Sequence, residues 1–182
     1  MRLPFRSMPK IEPLYSPPRR QDLLSLAGLL VDAVDSGAAV SFLSPLPIDD
    51  ALEWWTRLFA SANPRGVIFV ARDEQGELIG TVQVVPAWAP NQPHRAEIAK
   101  LIVHRRARRQ GLGRALMFAA EDAARSSGFR LLTLDAKRGT DAERLYRSLG
   151  WSHAGTIPGF ALDPDGQRPH DAVLFYKPLI PG

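Results

Sequence analysis

Two hydrophobic periods alternate along the chain. Apolar side chains that recur three and four positions apart predict amphipathic helices at residues 20–35, from Asp49 onward, 111–127 and 141–149. Apolar runs and alternating segments predict strands at residues 67–70, 78–85, 95–104, 131–135, 151–157 and 172–176. Some predicted strands follow one another directly as hairpins, whereas others alternate with helices, so we predict an α/β (α+β) fold. Its central sheet is mixed and mostly antiparallel, with six to seven strands flanked by about four helices.

The first 19 residues differ in composition from the rest of the chain. They contain five prolines, which disfavour a helix, and residues 11–15 are compatible with an edge strand. We therefore predict a proline-rich N-terminal tail over 1–19 and a single domain over 20–182. The total of 182 residues suits one domain.

Composition excludes several classes of protein. The chain has no cysteine, which excludes disulfides, cysteine zinc sites and a thiol-bound intermediate. No run of 18 apolar residues predicts a membrane span. Prolines at positions 4, 9 and 13 interrupt the apolar stretch that a secretory signal needs, so we expect a cytoplasmic protein. The histidines show no metal-ligand spacing, and no metal is expected.

A predicted strand, a basic loop and a predicted helix follow one another at 95–127, and this arrangement favours anion binding. The first amides of a helix have no partner within it, and the helix dipole is positive there. Gly111 and Gly113 have no Cβ to hold a phosphate away from the backbone. An arginine after Gly113 excludes a P-loop, and Leu116 replaces the third glycine of a dinucleotide fingerprint. The available counter-charges are Arg108, Arg109 and Arg114.

The spacing of this segment, Val103 followed by Arg108-x-x-Gly111-x-Gly113, resembles the coenzyme A motif of the GNAT superfamily of N-acetyltransferases. The resemblance extends from residue 20 to the C-terminus and implies a GNAT-like fold with acetyl-CoA as co-substrate. It also implies that the loop amides hold the pyrophosphate and that the preceding strand end pairs with the pantetheine arm. The residues that it assigns to coenzyme A are Leu101, Ile102, Val103, Arg108, Arg109, Gln110, Gly111, Leu112, Gly113, Arg114 and Tyr146.

Segments 134–150 and 155–166 are similar to tabtoxin-resistance-type acetyltransferases, a subgroup that acetylates an amino-acid-like toxin. This similarity implies a small amine acceptor. The chain departs from the wider family at Gly139, where many members carry an asparagine that contacts coenzyme A.

Acetyl transfer to an amine needs a base, because an alkylamine is almost fully protonated at neutral pH. Glu97 is the first candidate, and strand alternation puts it on one face with Leu101 and Val103. A bulge, which the family resemblance implies is common in this strand, would break that alternation. The alternative role of Glu97 is an ion pair at the strand edge with Arg95 or Lys100.

Asp135 and Tyr146 complete the candidate catalytic residues. Asp135 ends its predicted strand, where it would act as a base or orient the amine; its alternative is a turn carboxylate. Tyr146 lies on the apolar stripe of its helix, which is compatible with a core position. The family resemblance instead implies that its hydroxyl protonates the leaving thiolate.

The function predicted from these features is direct acetyl transfer from acetyl-CoA to a primary amine of a small amino-acid-like or toxin-like substrate. The alternatives are a non-catalytic acyl-CoA-binding sensor and an acetyltransferase acting on a protein or peptide amine. Nucleic-acid binding is disfavoured because the loop arginines form one short cluster without interleaved aromatic residues. A homodimer is compatible with the sequence, which does not require one.

Overall fold

The computed structural model describes residues 8–61, 63 and 65–179. Residues 1–7 of the predicted tail and 180–182 of the predicted domain lie outside the described residues. The helices are α1 (Arg20–Asp35), α2 (Ile48–Ala60), α3 (Leu112–Ser126) and α4 (Asp141–Ser148). The strands are β1 (Lys10–Leu14), β2 (Val67–Arg72), β3 (Leu78–Pro86), β4 (Arg95–Val103), β5 (Leu131–Lys137), β6 (Ser152–Leu162) and β7 (Pro169–Pro178).

One mixed sheet holds these strands in the order β1-β2-β3-β4-β5-β7-β6. All neighbouring pairs are antiparallel except β4 and β5, which are parallel. The predicted mixed, mostly antiparallel sheet flanked by helices is therefore confirmed. The predicted edge strand is β1, which pairs with β2.

Helices cover both faces of the sheet. Helices α1 and α2 pack together on one face over a core that includes Leu30, Trp55 and Ile102. On the other face, α3 and α4 cover a second core that includes Leu116 and Phe175. Burial on both faces explains why β3 is buried along nearly its whole length, in contrast to the alternation of a half-exposed strand.

The last three strands are longer than predicted. Strand β5 continues two residues past Asp135, and β6 extends to Leu162 although nearly all of its side chains are exposed. An edge strand held mainly by backbone hydrogen bonds needs no apolar alternation, so its length leaves little signal in the sequence. The turn between β6 and β7 is closed by the Gly166 N–H, which donates to the Asp163 carbonyl at 2.8 Å.

Candidate active site

The two parallel strands at the centre of the sheet separate towards their carboxyl ends. Pairing between β4 and β5 ends at Glu97 and Thr133, although β4 continues to Val103 and β5 to Lys137. Beyond Glu97, the edge of β4 that faces β5 has no strand partner in the described chain. A wedge therefore opens between the two strands, with unpaired backbone groups along its β4 side.

The wide end of the wedge is bounded by the N-termini of two helices, because α3 follows β4 and α4 follows β5. The first amide hydrogen bond into α3 is that of Ala115, whose N–H donates to the Gly111 carbonyl at 3.1 Å. The N–H groups of the preceding helical residues have no partner within the helix, and they lie at its positive dipole end. This is the geometry of an anion site next to an open strand edge.

The glycines of the loop have different roles. Gly111 has a φ of 82°, a left-handed conformation that strains other residues, and a Cβ there would meet nothing within 4 Å. Gly113 has a Cβ direction that points into the protein, where Leu145 would lie 3.3 Å away. Gly113 therefore allows α3 to approach α4 closely, whereas the sequence analysis assigned its missing Cβ to phosphate access.

The guanidinium of Arg108, predicted as a counter-charge for phosphate, is hydrogen-bonded within the protein. Its Nε donates to the Val103 carbonyl at 2.9 Å, and its Nη2 donates to the Ser36 hydroxyl at 2.6 Å. The guanidinium therefore fastens the loop to the end of β4 and to the end of α1. These bonds position the loop, and the counter-charge role of Arg108 stays a prediction.

The other coenzyme candidates in the loop lie around the α3 N-terminus. Arg109 forms an ion pair with Asp141 at 2.9 Å, which joins the α3 and α4 ends of the wedge. The Arg114 guanidinium donates to the Ser148 hydroxyl at 2.9 Å and is exposed. Gln110 folds back onto the Arg106 carbonyl, and the Leu112 side chain is buried, so both offer only backbone amides to a ligand.

A bulge in β4 changes which face each residue occupies. Gln83 of β3 pairs with Ala99 while Thr81 pairs with Ile102, so β4 carries one extra residue between these two pairs. Ile98 consequently belongs to the core under α3, and Ile102 belongs to the core under α1 and α2.

This bulge overturns the prediction that Glu97 shares a face with Leu101 and Val103. Leu101 and Val103 pack against the α3-side core, together with Ile98. Glu97 precedes Ile98 in the pleat and faces the opposite side, towards α1 and α2. The Glu97 carboxylate and the side chains of Leu101 and Val103 therefore lie on different faces of β4. The two faces are contiguous only along the edge of β4 that borders the wedge.

Two carboxylates, Glu97 and Asp135, lie on neighbouring strands at this edge. Both are exposed, and neither forms a hydrogen bond or ion pair with a described residue. The ion pair considered for Glu97 is absent within that part of the chain, because Arg95 instead donates to Gln92 and Thr133. Surrounding protein displaces solvent from Glu97 and raises its pKa, and the charge of Asp135 raises it further.

Lys100 belongs to the same cluster, and the sequence analysis considered it only as an ion-pair partner of Glu97. Its backbone has a φ of 49° at the bulge, and its Nζ lies 5.4 Å from the Trp54 ring centroid. Burial lowers the pKa of Lys100, against the opposing charges of Asp135 and Glu97. A lysine three residues after a glutamate is too common a pattern to have identified it.

The loop joining α1 and α2, residues 37–47, covers this cluster. Its Ser44 N–H donates to the Pro164 carbonyl in the β6–β7 turn at 2.6 Å, so the loop crosses the face of the sheet. Phe42 packs edge-on against Trp54 with ring centroids 5.4 Å apart. The cleft therefore has charged groups on its sheet side and aromatic groups from the α1–α2 loop and α2 above Lys100. The neighbouring Trp55 is a core residue, and Trp88 is 91% exposed.

Tyr146 is buried in the core on the other side of the wedge. Its ring lies 6.1 Å from that of Trp151 and 6.0 Å from that of Phe175. Its hydroxyl has no hydrogen bond to any described residue. Burial raises the pKa of the phenol, and the charge of Asp135 raises it further, so the hydroxyl stays protonated at neutral pH.

A model of the acetyltransferase (GNAT) family matches residues 30–151. The chain belongs to this family. It is 34% identical over 119 residues to an uncharacterized N-acetyltransferase from the hisH–hisA intergenic region of Azospirillum brasilense, covering 64% of this chain and 68% of the relative. Family membership makes the protein an acetyl-CoA-dependent N-acetyltransferase.

Solved structures share the fold of this GNAT enzyme at low sequence identity. A phosphinothricin acetyltransferase from Sinorhizobium meliloti in complex with acetyl-CoA has a TM-score of 0.77 at 19% identity, over 95% of this chain and 89% of that chain. A ribosomal-protein-alanine N-acetyltransferase from Brucella melitensis has a TM-score of 0.77 at 23% identity, over 93% and 99% of the two chains. These likenesses establish the GNAT fold alone.

Among the residues of this GNAT enzyme that the structure describes, no group of three or more metal-ligating side chains comes together. No helix in that part of the chain is long and apolar enough to cross a membrane.

Proposed function

We propose that this GNAT enzyme transfers the acetyl group of acetyl-CoA directly to the primary amine of a small amino-acid-like acceptor. The observation that carries the proposal is the wedge, whose open β4 edge leads to the free amides at the α3 N-terminus. A strand edge suits the amide groups of a pantetheine arm, and the helix end suits a pyrophosphate. These two features support the wedge as the site of the co-substrate.

The amine would enter on the face that carries Glu97 and Asp135. Glu97 accepts a proton from the ammonium, directly or through one water, and its raised pKa brings its basicity closer to neutral pH. Asp135 lies nearby, holds the amine in place and raises the basicity of Glu97. When bound, acetyl-CoA supplies a thioester carbon for the neutral amine to attack, and the free β4 N–H groups are donors for its carbonyl oxygen.

The acceptor class rests on two supports. The similarity of segments 134–150 and 155–166 to tabtoxin-resistance-type acetyltransferases favours an amino-acid-like or toxin-like amine over a protein amine. The α1–α2 loop also crosses the cleft to reach the β6–β7 turn, which favours a small acceptor over a folded protein surface. We further propose a cytoplasmic location.

The arginines that suggested nucleic-acid binding have acidic neighbours within the fold. Arg105 forms an ion pair with Asp32, and Arg106 forms one with Asp73 at 2.8 Å. Neutralised cations contribute little to a phosphate backbone site, which disfavours this alternative.

Release of the coenzyme A thiol tests the proposed activity. Acetyl-CoA is incubated with the enzyme and, separately, amino acids, polyamines, aminoglycosides or peptides with a free N-terminus. We expect thiol release with amino-acid-like amines above the rate without an acceptor. Tight acetyl-CoA binding without release for any amine would instead support the acyl-CoA sensor.

Tyr146 is the proposed acid that protonates the leaving thiolate. Tyr146→Phe retains the ring packing and removes the hydroxyl, so we expect kcat to fall roughly 100-fold. The acetyl-CoA Kd and the melting temperature should stay close to those of the parent enzyme. The matched control is Tyr15→Phe on an exposed side chain. An unchanged kcat with a lower melting temperature would make Tyr146 a core residue only.

A further inference from the structure

The ammonium group of Lys100 forms no ion pair with an acidic side chain among the described residues. Its ammonium makes one hydrogen bond there, at 3.3 Å to the Ser41 hydroxyl, and no ion pair. It lies over two aromatic rings, 5.4 Å from the centroid of Trp54 and 5.8 Å from that of Phe42. A partly desolvated ammonium without an anion is unfavourable, and an apolar side chain would pack against these rings without that cost.

The position of this charge relates it to the proposed catalytic carboxylates. Lys100 lies at the β4 bulge, three residues after Glu97, and Asp135 lies on the neighbouring strand β5. Both carboxylates are near enough to affect the lysine electrostatically, yet neither forms an ion pair with it. The cleft therefore presents separated negative and positive groups, with the aromatic rings of Phe42 and Trp54 next to the positive one.

An α-amino acid has the complementary arrangement of charge. Its ammonium and its carboxylate are separated by one carbon atom, so both can contact one small cleft. An amine without a carboxylate would satisfy Glu97 and Asp135 and leave the ammonium of Lys100 unpaired.

We propose that Lys100 binds the carboxylate of an amino-acid acceptor and makes the enzyme select amino acids over amines that lack a carboxylate. This inference rests on the proposed function and narrows its acceptor class. Lys100 is then a specificity residue, which touches the acceptor and takes no part in proton transfer.

The test compares L-amino acids with their primary amides as acceptors for the parent enzyme. An amide keeps the amine and the side chain but loses the negative charge. Its amine is less basic and more often neutral, so intrinsic reactivity favours the amide. We nevertheless expect kcat/KM for the acid to exceed that for the amide by about tenfold or more, as expected for one charge-assisted hydrogen bond.

Two variants separate recognition by Lys100 from a structural role. In Lys100→Met, KM for the acid should rise about tenfold, while KM for the amide and the acetyl-CoA Kd remain unchanged. In Lys100→Arg, which keeps the charge, part of the preference for the acid should return. A purely structural lysine would instead affect acid and amide equally, and that result would overturn the inference.

Failure of the proposed role of Lys100 can be distinguished from failure of the proposed acetyltransferase activity. Acetylation of polyamines or amino acid amides as efficient as that of amino acids would overturn the role of Lys100 and leave the transferase activity intact. A preference for the acid that persists in Lys100→Met would also overturn it. Failure of every amine to release thiol would reject the proposed function itself.

Discussion

Gly111→Glu should weaken acetyl-CoA binding by about 100-fold, the equivalent of ~3 kcal/mol of charge-assisted hydrogen bonds to a phosphate. The new carboxylate would stand at the N-terminus of α3, beside the amides proposed to hold the pyrophosphate. It would repel the phosphates and occupy the positive end of the helix dipole. Isothermal titration calorimetry with acetyl-CoA measures the change.

The matched control for this variant lies at the other end of the same helix. Gly128 also has a positive φ, of 80°, and a Cβ there would meet nothing within 4 Å. Gly128→Glu therefore introduces a similar backbone strain and the same charge away from the wedge. We expect it to bind acetyl-CoA within about threefold of the parent enzyme. Equal binding by both variants would contradict a pyrophosphate site at Gly111.

Glu97→Gln should lower kcat by about 10²- to 10⁴-fold, the range for loss of a general base. The acetyl-CoA Kd should be unchanged, because the side chain faces the acceptor side of β4. The fold should not be weakened. A raised pKa in the folded state means that ionisation of Glu97 disfavours folding as the pH rises through that pKa, and glutamine removes this effect. Thermal melting at neutral pH checks this point.

The pH profile of the parent enzyme separates Glu97 from Asp135 as the base. We expect kcat/KM to rise with pH through an acidic limb that lies above the usual pKa of a glutamate, because Asp135 and desolvation raise the pKa of Glu97. Asp135→Asn removes one of these causes, so it should move the limb to lower pH.

The control for Asp135→Asn is Asp122→Asn, which removes an exposed charge on the outer surface of α3 and should leave the profile unchanged. The assignment fails if Asp135→Asn abolishes turnover while Glu97→Gln retains both turnover and the acidic limb. That pair of results would make Asp135 the base.

The helices and the sheet class could be predicted because their signal is local. The three- and four-residue spacing of apolar side chains gave the bounds of α1 at Arg20 and Asp35, which the structure confirms. The glycine-containing segment before α3 also marked a helix start with free amides, as observed at Gly111.

The features that were not predicted depend on partners distant in sequence. Arg108 binds the hydroxyl of Ser36, a contact across 72 positions that no local pattern reveals. The face of Glu97 depends on a single extra residue in β4; the family resemblance allowed for a bulge there, but its presence and place leave no periodic signal. The environment of Lys100 is formed by Phe42 and Trp54, which the α1–α2 loop and α2 bring across the sheet.

The central claim is that the wedge between β4 and β5 receives the acetyl donor, and a crystal structure of the enzyme with acetyl-CoA tests it most directly. We expect the pyrophosphate on the backbone amides that begin α3 and the pantetheine arm along the unpaired edge of β4 beyond Glu97. The thioester should then face the edge where Glu97 and Asp135 meet. Density for the donor at another surface, with the wedge unchanged and empty, would contradict the account.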